Sequence, residues 1–193
     1  ILQIDGEDVK WADSWSLALG DKAGKTVELL VNSTASKDGA RTVKLKAMTP
    51  TQVRDIEYEN EVKKARAEVE KLSNGRLAYL HIKAMNKDTL QRFERELWGK
   101  ARLKDGIVLD IRDNQGGNTH DDILAQLSRT VYGYTQPRDA ERMTQPVKHL
   151  GKPIILMINQ NAASDGEIFP MGFRNLKLGK ILGVQTPGYV IGT

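Results

Sequence analysis

A serine can attack a carbonyl when its turn exposes the hydroxyl and backbone N–H groups meet the negative charge that develops on the carbonyl oxygen. The stretch Asn159-Gln-Asn-Ala-Ala-Ser-Asp-Gly-Glu-Ile-Phe169 has the composition for this. It follows the apolar run Pro153-Ile-Ile-Leu-Met-Ile158, and its small residues put Ser164 where a strand should turn into a helix. The N–H of Asp165 would then lead the helix and point at the oxyanion. A plainer reading competes: Ser164 caps the helix, and Glu167, three residues on, completes a capping box.

A second segment offers the matching half of such a site. Gly106-Ile-Val-Leu-Asp-Ile-Arg-Asp-Asn-Gln-Gly-Gly117 is a buried strand running into a loop whose paired glycines allow backbone to approach a ligand closely. Gly117, or alternatively Gly116, could supply the other oxyanion donor; a diglycine after a strand can also be just a turn. Parallel strands would bring both loops to one edge of a sheet.

The elements needed to position these loops are legible from hydrophobic period. Strands are expected at Leu77 to Ile82, Ile107 to Ile111, Ile154 to Ile158 and Lys180 to Val184, with helices at Thr89 to Ala101, Asp121 to Val131 and Asp165 to Leu176. This alternation predicts an α/β domain with a mainly parallel sheet covered by helices. Tyr132 to Lys148 is polar and irregular, long for an internal connection, and suits a pocket wall. Upstream, Ile1 to Asp5, Thr26 to Val31 and Arg41 to Lys46 read as strands, Ala12 to Leu19 as a short amphipathic helix and Ser33 to Gly39 as a polar turn. Between these regions Val53 to Leu72 is a charged helix with one apolar stripe of Val62, Ala65, Val69 and Leu72, ended by Asn74-Gly75. Its charges read as a solvated face, and it could equally lie at a subunit contact of a homo-oligomer.

Leu109-Asp-Ile-Arg-Asp-Asn-Gln-Gly-Gly117 together with Ser164-Asp-Gly-Glu-Ile-Phe169 resembles the tricorn branch of the S41 serine peptidases. Arg76-Leu-Ala-Tyr-Leu-His-Ile82, the charged helix before it and Gly183-Val-Gln-Thr186 fit the same pattern. The resemblance implies a ClpP/crotonase-like catalytic domain over residues 76–193, an incomplete PDZ domain over 1–50 and a connector over 51–75. It implies polypeptide substrates, no cofactor and no metal. The catalytic histidine of such peptidases precedes the PDZ domain and the supporting acid follows the serine by more than this chain retains. Both would lie outside this sequence, which looks like part of a longer protein. The other S41 branch uses a lysine 25 residues after the serine, and here that place is Tyr189. Where the tricorn pattern has an acid after Gly-Tyr, selecting basic side chains, this chain has Thr135, with Asp139 and Glu141 nearby. No side-chain preference is therefore assigned.

Of the three histidines, His81 falls mid-strand and reads as structural and His149 as a loop residue, while His120, just beyond the diglycine, could approach a bound substrate as the base or equally mark an exposed helix start. Asp113 and Asp165 lack a further cluster at metal-ligand spacing. Composition narrows the alternatives. With 193 residues, 39% apolar, the chain can bury one substantial core and a smaller module. A net charge of +4 from 29 basic and 25 acidic residues, mixed along the chain, does not indicate nucleic acid. No apolar run reaches the roughly 18 residues that span a bilayer. The absence of cysteine fits a cytoplasmic or a periplasmic setting alike. Two other functions compete with a peptidase: a non-catalytic PDZ-containing peptide-binding scaffold and an acyl-CoA enzyme of the crotonase type.

Overall fold

The computed structural model describes residues 1–10 and 19–190. The chain divides into two compact units, Ile1–Glu61 and Val62–Thr193. The helix expected at Ala12 to Leu19 lies, apart from Leu19, outside the described residues.

The first unit is built on strands β1 (Gln3–Ile4), β2 (Glu7–Asp8), β3 (Thr26–Val31) and β4 (Arg41–Lys46), an antiparallel sheet in the order β2-β1-β3-β4. Asp5 and Gly6, both at positive φ, form the two-residue turn between β1 and β2, the backbone that Asp-Gly supplies in hairpins. Asp5 also accepts from Glu28 N–H at 2.7 Å and from Lys22 Nζ at 2.5 Å, tying the turn to its neighbours. Alternation along β3 points Val27 and Leu29 inward, where with Ile4 and Ala47 they make a small core.

Helix α1 (Pro50–Leu72) follows, and the division between the units falls within it. Of its apolar stripe only Val62 is fully buried; Leu72 is 74% exposed. The stripe fails at that end because the chain leaves the helix through Asn74 and Gly75, both at positive φ, with Gly75 N–H returning to Glu70 O.

The second unit alternates strand and helix: β5 (Leu77–His81), α2 (Lys87–Trp98), β6 (Gly106–Asp110), α3 (His120–Leu127), the hairpin β7 (Gly133–Thr135) and β8 (Met143–Gln145), then β9 (Ile154–Ile158), α4 (Asp165–Asn175) and β10 (Gly179–Gly183). β5, β6, β9 and β10 form one parallel sheet in the order β10-β9-β6-β5. The order never reverses. Crossovers of one hand that always step the same way leave every helix on the same side of the sheet. Packing agrees: Leu80, Ile107, Leu109, Ile154, Leu156 and Ile158, which register places on one face, share a core with Phe93 and Leu97 of α2, Ile123 and Leu127 of α3, and Phe169 and Phe173 of α4. The Asn86 side chain caps α2 by accepting from Thr89 N–H, and a Glu94–Gln126–Trp98 chain of hydrogen bonds joins α2 to α3.

Several expected limits move: the strand expected over Ile1 to Asp5 is Gln3–Ile4, and the helix expected over Thr89 to Ala101 is Lys87–Trp98. The helix expected over Asp121 to Val131 stops at Leu127. The irregular stretch Tyr132 to Lys148 contains the β7–β8 hairpin, across which Arg142 stacks on the Tyr134 ring at 3.8 Å. Among the described residues no helix is long and apolar enough to cross a membrane.

Candidate active site

The parallel ladder between β6 and β9 ends with Ile111 N–H donating to Met157 O, and beyond it both strands turn into loops. The first loop is organised by Asn114, which is fully buried. Its Nδ2 donates to Ile82 O at 2.8 Å, its Oδ1 accepts Gly116 N–H at 2.8 Å, and its carbonyl accepts Ala163 N–H of the second loop at 2.9 Å. One side chain thus fixes the loop to the end of β5 and shapes the diglycine bend.

Both glycines are required by backbone. Gly117 lies at φ +146 with Met85 O so close that a Cβ would stand 1.9 Å from it, while Met85 N–H donates to Gly116 O and Asn118 N–H to Met85 O. Gly116, at φ +94, faces the other way: a Cβ there would lie 2.7 Å from the Ser164 Cβ and 2.9 Å from Asp165 N. Ser164 and the diglycine are therefore in direct contact, although the sequence separates them by nearly fifty residues.

Ser164 has φ 53 and ψ −125, a sharp strand-to-helix turn that an L-residue rarely adopts. Such strained elbows carry the exposed nucleophile in α/β-hydrolases. It is half-buried and precedes α4, but its side chain caps nothing. Glu167 does not complete a capping box either. Its buried carboxylate accepts Gly188 N–H and Tyr189 N–H, each at 2.6 Å, and Tyr189 O accepts Ser164 N–H at 3.3 Å. These bonds draw the segment after β10 alongside the serine, and they remove the capping interpretation. Gly166 is equally constrained, since a Cβ there would meet Asn114 O at 2.4 Å.

Of the N–H groups around the serine, Gly116 N–H is occupied by Asn114 Oδ1. No protein oxygen among the described residues accepts from Gly117 N–H or Asp165 N–H. That difference favours Gly117 over Gly116 as a donor to a bound group.

The loops are also bridged by side chains. Asp113 N–H donates to Asn159 Oδ1 at 2.9 Å, and Asp113 Oδ1 accepts from Asn159 Nδ2 at 3.0 Å and Asn161 Nδ2 at 2.7 Å. Gln115 Nε2 adds a bond to Asn161 O at 2.5 Å. The amide of Asn161, then that of Asn159, holds the Asp113 carboxyl below its ordinary value. Neither asparagine is distinguished by spacing in the sequence, where both read as turn formers.

Asp165 points its buried carboxylate at α3. His120 Nδ1 comes within 2.7 Å of Oδ1, off the direction of a hydrogen bond, and His120 N–H reaches Oδ2 at 3.3 Å. The other histidines lie elsewhere: His149 Nδ1 contacts Arg129 O, and His81 ends β5, where burial pushes its ring below the ordinary value despite the charge of Asp110. Asp110 is itself fully buried. Burial opposes its charge, but the Arg112 guanidinium and N–H with the Tyr79 hydroxyl outweigh it and hold the carboxyl below its usual range.

An elbow serine set against a glycine bend, with two amides lacking an acceptor among the described residues, is an arrangement of the kind that serine hydrolases use. Residues 76–193 match peptidase family S41, and the chain belongs to that family. It is 32% identical over 193 residues to tricorn protease homolog 1 of Streptomyces coelicolor, covering all of this chain and 18% of that protein. Against the tricorn protease of Thermoplasma volcanium it is 31% identical over 192 residues, again 18% of the relative. A crystal structure of the tricorn protease superposes with a TM-score of 0.78 at 30% identity, over 99% of this chain and 18% of that one. The chain thus spans under a fifth of the length of these relatives.

Proposed function

We propose that Ser164 is the nucleophile of a serine peptidase that cleaves unfolded or partly degraded polypeptides, with Gly117 N–H and Asp165 N–H holding the oxyanion. The observation that carries this reading is the contact of the strained Ser164 turn with the diglycine bend, beside two amides that have no acceptor among the described residues. Ser164 Oγ attacks the scissile carbonyl carbon and the carbonyl oxygen takes the negative charge. Each amide that tightens on it lowers the barrier by about 3–4 kcal/mol. The proton of Ser164 must pass to a base and then to the leaving amine.

None of the three histidines is assigned that task. His120 is held at Asp165, and His149 contacts a backbone carbonyl. In this reading the base and its supporting acid come from the full-length protein outside these 193 residues, and the isolated chain is inactive. Residues 1–50 are an incomplete PDZ domain, 51–75 the connector and 76–193 part of the catalytic domain; the antiparallel sheet of the first unit is compatible with that division. Self-association into a homo-oligomer is part of the same proposal.

Labelling the full-length protein with a fluorophosphonate and mapping the adduct tests the assignment. A single adduct on Ser164, abolished together with peptide cleavage in Ser164→Ala, is expected. An adduct on another serine that persists in Ser164→Ala would overturn it.

A further inference from the structure

The two loops that meet at Ser164 are not joined by a strand ladder, because regular pairing of β6 with β9 stops at Ile111 and Met157. What joins them beyond that point is one backbone bond, from Ala163 N–H to Asn114 O, the bond from Gln115 Nε2 to Asn161 O, and the side-chain bridge centred on Asp113. The bridge has a defined polarity. Asn159 Oδ1 accepts from two backbone donors, Asp113 N–H and Asn161 N–H, so its Nδ2 must face the Asp113 carboxylate. Asn161 Nδ2 converges on the same oxygen. Asp113 adopts φ 62, a left-handed conformation uncommon for a residue with a side chain and one that aspartate tolerates better than most. The bridge lies on the rim, where Asp113 and Asn161 are exposed, so it adds little to the core.

We infer that Asp113 is a positioning residue: through Asn159 and Asn161 it sets the distance between Gly117 N–H and Asp165 N–H, and so the fit of the tetrahedral intermediate between them. This rests on the reading of those two amides as oxyanion donors. Gly117 follows Asp113 by four residues on one loop, and Asp165 follows Asn161 by four on the other. A shift at the bridge therefore passes along two short segments to both donors. Donors aimed at a transition state tolerate little displacement, and a misplacement of about 1 Å can cost on the order of 100-fold in rate.

The test uses the full-length protein and three readouts on folded enzyme: kcat, KM, and the affinity of a peptide boronate, which forms a tetrahedral adduct, against that of the uncleaved product peptide. Asp113→Ala is expected to lower kcat by roughly 10- to 100-fold with KM nearly unchanged. Boronate affinity falls by the same factor, and product affinity holds. Asp113→Asn keeps one acceptor oxygen for the two amides and recovers most of kcat. Asn161→Ala, which removes one of the two donors and is milder on folding, gives a smaller fall of the same kind. Asp113→Ala combined with Asn159→Ala is no worse than the poorer single variant. An unchanged kcat in Asp113→Ala and Asn161→Ala, or boronate and product affinities that weaken together, would overturn the inference while leaving Ser164 in place. Undiminished cleavage by Ser164→Ala would instead remove the nucleophile assignment and this inference with it.

Discussion

The two faces of the parallel sheet are made from the same strands and do opposite things. On one, Leu80, Leu109 and Leu156 lie side by side in register and are buried beneath α2, α3 and α4. On the other, Val108, Ile155 and Met157 are only half-buried, Leu182 is 54% exposed, and a fully buried residue is a polar one, Asp110, bonded to buried Tyr79 and to the part-exposed Arg112. The helix-covered face is held by volume, and the open face by a few charged hydrogen bonds. A strand read as continuously apolar therefore conceals an alternation of roles that its neighbours alone decide.

Adjacent residues of β9 give the sharpest contrast. Leu156 has no exposed surface and Met157, one residue on, faces the open side. Leu156→Ala should lose about 2–5 kcal/mol, the transfer cost plus that of a cavity among Leu109, Phe169 and Phe173 that cannot collapse. Met157→Ala should lose less, about 1 kcal/mol, because the side chain is only half-buried and its truncation leaves no closed cavity. Urea unfolding of the two variants measures both. Equal losses would mean that the second face is as tightly packed as the first.

On the polar side the effect is smaller and depends on pH. Asp110→Asn removes the charge that Arg112 and Tyr79 surround. Breaking a fully buried pair costs roughly 3–5 kcal/mol, but Arg112 keeps 43% of its side-chain surface exposed and can rehydrate, so about 2 kcal/mol is expected. The folded carboxyl titrates below its unfolded value of about 3.9. Its contribution is therefore complete above that value and is lost as pH falls through the lowered one. Thermal melts from neutral pH downward should show wild type and Asp110→Asn converging in acid. A gap that stays constant to the lowest pH would mean that the charge contributes nothing.

This contrast also explains how much could be read in advance. The strands Thr26–Val31, Arg41–Lys46 and Ile154–Ile158 match their expected limits because alternation or a bounded apolar run marks both ends. The Ser164 turn and the diglycine were legible for the same reason, each closing such a run. The side chains that organise them were not. Asn114 works through Ile82 and Ala163, and Glu167 through Gly188 and Tyr189, partners tens of residues away with no shared period. The local capping rule for Ser164 and Glu167 lost to a tertiary hydrogen bond. Likewise Leu72 fits a helical stripe but ends α1 in solvent, and only the geometry of the following turn decides that.

The smallest expected effect tests whether the polar cluster acts as a unit. Tyr79→Phe deletes one donor, the hydroxyl 2.8 Å from Asp110 Oδ2, and leaves the ring in place. Hydrogen bonds to charged groups contribute about 1.5–3 kcal/mol, but Asp110 keeps the Arg112 guanidinium and N–H, so a loss of about 1 kcal/mol is expected at neutral pH. The alkaline limb carries the distinctive signature. Burial, then the charge of Asp110, raises the Tyr79 phenol above its unfolded value near 10. A group raised in this way stabilises fully below that unfolded value and progressively less as pH climbs beyond it. Wild type should therefore lose stability above about pH 10 while Tyr79→Phe, with nothing to ionise there, does not lose that share. The deficit of the variant shrinks as the solution becomes more alkaline. A deficit that stays constant or widens across this range would show that the tyrosine stands apart from Asp110 and that the open face is held by Arg112 alone.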